Sequence, residues 1–110
     1  MNLEKINAIE KRIQSLEKIS PERKSEILAL VSELKSEIAV LEGSHHEHAE
    51  SVSGLMSVST HEATRTERNE RSLELVLEAL RSSVESIESS HPSLVKTVNA
   101  LSLMLSNLGI

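Results

Sequence analysis

Residues 43–54 read GSHHEHAESVSG, and this stretch sets the organisation of the fold because it separates two helical units. Glycine stands at both ends, Gly43 and Gly54, and large aliphatic side chains do not recur at the three- and four-residue steps that give a helix its apolar face. The stretch reads as a solvated, flexible linker. With residues 55–58 it divides the chain into an N-terminal unit, residues 1–42, and a C-terminal unit, residues 59–110.

Upstream of the linker the periodicity is strong. Ile27, Val31, Leu34, Ile38 and Leu41 alternate in four- and three-residue steps, widened by Leu30, and Gly43 is placed to stop that helix. Before it, Leu3, Ile6, Ile9, Ile13, Leu16 and Ile19 form one apolar stripe with charged residues between them. The two stripes meet at Ser20 and Pro21. Proline cannot continue the preceding hydrogen-bond ladder, but it fits the first position of a new helix behind a serine N-cap. The pattern predicts an antiparallel helical hairpin over residues 1–42.

The downstream unit repeats the design. Ser59 with Glu62, or Thr64 with Glu67, has the spacing of a capping box and marks a helix start. Leu73, Leu77, Leu80, Val84 and Ile87 follow, with Glu67 and Arg71 paired one turn apart. At the second corner Pro92 steers His91 out of helical geometry and opens the last helix, whose N-terminus the His91 ring is expected to serve. That helix carries Leu94, Val98, Leu101, Leu105 and Leu108, widened by Leu103 and Met104, and Lys96 is its only charged side chain. The expected fold is all-α, with two antiparallel hairpins that form a four-helix bundle or pair across a homodimer.

The chain has no Phe, Tyr, Trp or Cys, which removes aromatic stacking, disulfides and thiolate chemistry. With 17 acidic and 12 basic residues the formal net charge is −5, and the basic residues are spread along the sequence. A nucleic-acid partner is therefore not expected, since phosphate binding needs a concentrated positive face. The N-terminal residues are charged and amphipathic, unlike a secretory signal, which points to a cytoplasmic protein. Lys96, Thr97, Asn99, Ser102, Ser106 and Asn107 interrupt the last helix and rule it out as a membrane span.

His45, His46 and His48 form the one cluster with metal-ligand chemistry, yet a mobile linker without cysteine does not fix a coordination geometry. No metal site is assigned. His61 begins a run like the helical zinc-protease motif, but Arg65 stands where the second histidine is required. The serines fall in no nucleophile motif. The sequence thus assigns no catalytic residue, no cofactor and no metal ligand, and the protein is read as non-enzymatic. Its expected interaction surface is the uncharged stripe of Leu94, Val98, Leu101, Leu105 and Leu108, acting in a homo-oligomer or toward an unidentified protein partner. Peripheral association of the last helix with a membrane is the alternative. Ser20, Pro21, His91 and Pro92 are its structural corners.

The corner Ser20-Pro21-Glu22 and the ending SHPSLVKTVNALSLMLSNLGI, residues 90–110, resemble a family of short bacterial proteins known as domain of unknown function 4404. The shared features are Ser90-His91-Pro92-Ser93-Leu94 and, at the end, Leu105-Ser106-Asn107-Leu108-Gly109-Ile110. The resemblance implies a bacterial origin and a helical fold, and it brings no activity with it.

Overall fold

At the first corner the Ser20 hydroxyl accepts the Arg23 backbone N–H at 3.2 Å while Pro21 fills the first helical turn. This local chemistry starts the longest helix of a computed structural model that describes residues 2–108. Five helices lie among the described residues: α1 Asn2–Gln14, α2 Pro21–Ser44, α3 His46–Thr64, α4 Glu70–Glu85 and α5 Pro92–Asn107. There is no strand among them. The 24-residue α2, at about 1.5 Å per residue, runs nearly the full 38 Å of the molecule's long axis.

The all-α expectation holds, but the four-helix count is corrected to five, and the residues expected to be a linker form α3. Gly43 lies inside α2 and Gly54 inside α3, so neither ends a helix. His45 alone separates the two, with φ −140° and ψ 69°. Its N–H donates to the Leu41 carbonyl at 2.6 Å, and its own carbonyl accepts the Ala49 N–H at 3.0 Å. The chain thus turns back with almost no interruption of its backbone hydrogen bonds.

The buried face of α3 consists of Ala49, Val52, Ser53, Met56, Ser59, Thr60 and Ala63. These positions follow helical spacing, yet five of the seven are Ala, Ser or Thr. The periodicity is one of size and burial, and a hydrophobicity pattern does not register it. Short side chains let neighbouring helix axes approach closely, and α3 packs against all four other helices. The Thr60 hydroxyl donates to the Met56 carbonyl at 2.9 Å, whereas the buried Ser53 and Ser59 hydroxyls have no hydrogen-bond partner.

Two further boundaries differ from the sequence pattern. α1 ends at Gln14 rather than near Ile19. The Ser15 hydroxyl donates to the Arg12 carbonyl and Lys24 Nζ to the Gln14 carbonyl, so the last turn is closed early and Leu16 and Ile19 pack from the corner. Neither proposed capping box starts a helix, because Ser59 and Thr64 belong to α3. Asn69 is the N-cap of α4, accepting the Ser72 N–H at 2.9 Å. Gly109, where the sequence pattern ends the last helix, lies outside the described residues.

The large aliphatic stripes of α1, α2, α4 and α5 close around α3. Ile6, Ile13, Ile27, Leu34, Ile38, Leu41, Leu80 and Val84 are completely buried. Short connections make successive helices antiparallel, α1 on α2 and α4 on α5, and α2 also packs on α5.

A central position for α3 makes opposite predictions for two adjacent residues. Nothing lies within 4 Å of a Cβ built at Gly54, so Gly54→Ala should stabilise the protein by about 0.5–1 kcal/mol. The fully buried Ser53, changed to Leu, should cost about 1–3 kcal/mol through overpacking. Urea denaturation of both variants reads this out, and a solvated linker would leave the stability unchanged in both.

Candidate functional site

Antiparallel succession places the C-termini of α1, α3 and α5 and the N-termini of α2 and α4 at one end of the bundle. A helix C-terminus presents unpaired carbonyls and partial negative charge. Three such ends meeting two of the opposite sense leave an excess of acceptors there, and basic side chains answer them. Lys24 Nζ donates to the Gln14 carbonyl at 3.1 Å, Arg12 Nη2 to the Thr64 carbonyl at 3.1 Å, and Arg23 Nη1 to the Asn107 carbonyl at 3.4 Å. Arg68 Nη2 donates to the Ser106 carbonyl at 2.7 Å, and its Nη1 to the Leu108 carbonyl. Arg68 Nε lies 2.7 Å from Glu70 Oε1 as an ion pair, but off the direction of the N–H bond.

Of the 12 basic residues, Lys11, Arg12, Lys18, Arg23, Lys24, Arg65, Arg68 and Arg71 belong to the helix termini and connections at this end. The basic residues are spread in sequence but gathered at one end of the fold, where Glu17, Glu22, Glu62, Glu67 and Glu70 are interspersed with them. No motif marks them. Their one sequence signal is that each lies within a few residues of a helix boundary, and that signal is useful only once the boundaries of α3 are known.

Between the α1–α2 corner and the α3–α4 connection lies a cleft of about 820 Å³. Leu16, Ile19, Ala63 and Leu108 give it an aliphatic lining, and Arg12, Lys18, Arg65 and Arg68 give it positive charge, offset in part by Glu17 and Glu70. Arg12 and Arg68 are engaged with backbone carbonyls, and Arg65 Nη1 pairs with Glu62 Oε1 at 3.0 Å. Lys18 is exposed at the rim. The arrangement suits an anionic group attached to aliphatic side chains.

The residues expected to form the interaction surface lie elsewhere. Leu94, Val98, Leu101, Leu105 and Leu108 are 2, 0, 1, 1 and 7% exposed, covered by the chain's own helices. Their low charge reflects a core position. Leu103, at 63% exposure, is the large aliphatic side chain that α5 leaves to solvent. Ser20 is the N-cap of α2, and Pro21 and Pro92 occupy the first turns of α2 and α5. His91 is the residue before α5, but its ring makes no capping bond, which corrects the role expected for it. Only its backbone serves the helix start, the carbonyl accepting the Val95 N–H at 3.3 Å.

One carboxyl group is set apart from the solvated charges. Glu37 sits on α2, and burial pushes its pKa above the ordinary carboxylate value. A hydrogen bond with the Thr97 side chain on α5 opposes the rise, and the neighbouring charge of Glu33 adds to it. Glu37 lies outside the cleft lining.

Comparison with known proteins finds no match: no family model, no curated protein and no solved structure corresponds to this chain. No helix of the described residues is long and apolar enough to cross a membrane.

Two measurements test these assignments. Arg68→Met leaves the carbonyls at the end of α5 without their charged donor and should lower stability by about 1–3 kcal/mol, read as a shift in the urea midpoint. For Glu37 the folded-state pKa is raised. The unfolded chain therefore loses its proton first as pH rises through the usual carboxylate range, and stability falls there, being fullest at lower pH. Glu37→Gln should remove that decline, so its stability gain over the wild type should grow from pH ~4 to pH ~6.

Proposed function

We propose that this chain is a non-enzymatic helical protein that acts by binding other protein surfaces, and that the basic cleft receives an acidic, aliphatic-bearing segment of the partner. The observation that carries this reading is the pairing of an aliphatic lining with the basic side chains gathered at one end of an otherwise acidic molecule. Charge complementarity of this kind sets partner choice and association rate. The aliphatic and basic lining supports a binding role.

A second copy of the chain is one partner with the required chemistry, because all its acidic residues are glutamates carried largely on the outer faces of aliphatic helices. Self-association in this reading uses the basic end and the glutamate-bearing faces, with the α5 stripe retained as core. Membrane docking through α5 loses its motive for the same reason. The cytoplasmic setting and the likeness to the domain of unknown function 4404 family belong to the same proposal. The Ser90-His91-Pro92 part of that likeness coincides with the start of α5.

Fluorescence anisotropy with a labelled helical peptide of Glu and Leu provides the test. Binding should weaken as salt rises, and the double variant Lys18→Glu/Arg65→Glu should lose about tenfold or more in affinity while keeping its helical circular dichroism. Sedimentation equilibrium of the same proteins should show wild-type species heavier than the 12.1 kDa monomer and a monomeric double variant. A folded wild type that neither binds the peptide nor self-associates would overturn the proposal.

A further inference from the structure

The opposite end of the bundle brings together three histidines from separate halves of the sequence. His45 forms the α2–α3 corner, His48 stands in the first turn of α3, and His91 precedes α5. His45 and His91 share one backbone conformation, with φ/ψ of −140°/69° and −137°/61°. Each uses its carbonyl to begin a helix, and neither uses its ring as a cap. The ring centroids of His45 and His91 lie 5.3 Å apart, and those of His45 and His48 lie 5.9 Å apart.

Neighbouring serines organise two of these rings. The Ser86 hydroxyl, which donates to the Ser83 carbonyl at 2.9 Å, lies 3.2 Å from His48 Nε2, and the Ser44 hydroxyl lies 2.9 Å from His45 Nδ1. Each contact engages one ring nitrogen and leaves the other, His48 Nδ1 and His45 Nε2, without a hydrogen-bond partner among the described residues.

We propose that His45, His48 and His91 form a binding site for one divalent transition-metal ion of the zinc, cobalt, nickel and copper class. Three neutral imidazoles and a water molecule suit such ions, whereas calcium and magnesium prefer oxygen ligands. Spacing supports the assignment. With metal–nitrogen bonds of about 2.0–2.1 Å and tetrahedral angles, ring centroids of two imidazoles on one ion stand about 5.2 Å apart, close to both observed separations. As placed, the rings stand edge to face, and no three ligating groups of the described residues already converge on a common point. Binding therefore requires side-chain rotation. His45 is exposed, His48 and His91 are half-buried, and the rotation leaves both helix starts intact because those depend on backbone carbonyls. His46 belongs to a different surface, 3.2 Å from Glu50 and 3.9 Å from Glu42, and is not a ligand.

Titration of chelator-treated protein with zinc alone, in competition with a chromophoric chelator, tests the site. One equivalent per chain should bind with a Kd on the order of micromolar or tighter. His45→Ala and His91→Gln should each weaken binding at least tenfold, and His46→Ala should leave it unchanged, with circular dichroism confirming helicity. Cobalt bound to the unmodified chain should give the intense visible absorption of tetrahedral coordination. The histidine ring signals of residues 45, 48 and 91 should shift together in nuclear magnetic resonance spectra with zinc. Equal binding by wild type and His91→Gln would assign any affinity to an exposed histidine pair on α3 and overturn the proposal. So would loss of binding in His46→Ala, or ring shifts at His45, His46 and His48 without His91.

Discussion

Close packing against the small-residue face of α3 is the constraint on which the rest of this structure depends. Ala49, Ser53, Ser59, Thr60 and Ala63 present little volume, so α1, α2, α4 and α5 can all reach the same helix. Larger side chains there would push the surrounding hairpins apart. The arrangement carries a cost, because Ser53 and Ser59 are buried without hydrogen-bond partners and Gly54 weakens the helix interior. Their neighbours' aliphatic stripes must outweigh it, and the completely buried Ile, Leu and Val side chains of α1, α2 and α4 are the largest visible source of that compensation.

A central α3 also decides what each end of the molecule contains. An odd number of antiparallel helices gives one end three C-termini and the other three N-termini. At the first end, Arg12, Arg23, Lys24 and Arg68 donate to carbonyls at the helix ends and tie the connections together. At the second, the corners at His45 and His91 become neighbours. Both local environments arise from the same topology, and a four-helix arrangement with residues 43–58 left as a linker would produce neither.

Much of this was legible in the sequence. The stripes of α2, α4 and α5 were visible because their buried positions hold Leu, Ile or Val, and the Ser20-Pro21 corner was visible because capping chemistry is local. α3 is not legible in hydrophobicity, because its buried face is written in small side chains and Gly43 and Gly54 mimic boundaries that do not exist. The end of α1 is not legible because part of its closure, the Lys24 bond to the Gln14 carbonyl, comes from the following helix. Leu94, Val98, Leu101, Leu105 and Leu108 read as an apolar face in the sequence, but periodicity does not say that α2, α4 and α3 of the same chain cover it. The basic cleft and the histidine cluster were hidden for a common reason: each is assembled from connections, whose spatial neighbours follow from helix order.

Amide hydrogen exchange across residues 46–64 tests the central claim most directly. If α3 is the packed centre of the bundle, amides around Val52, Met56 and Thr60 should exchange only through large-scale unfolding, with protection comparable to that of Val31, Leu34 and Ile38 in α2. Exchange of residues 46–64 at the rate of an unstructured peptide, while α2 stays protected, would contradict the account.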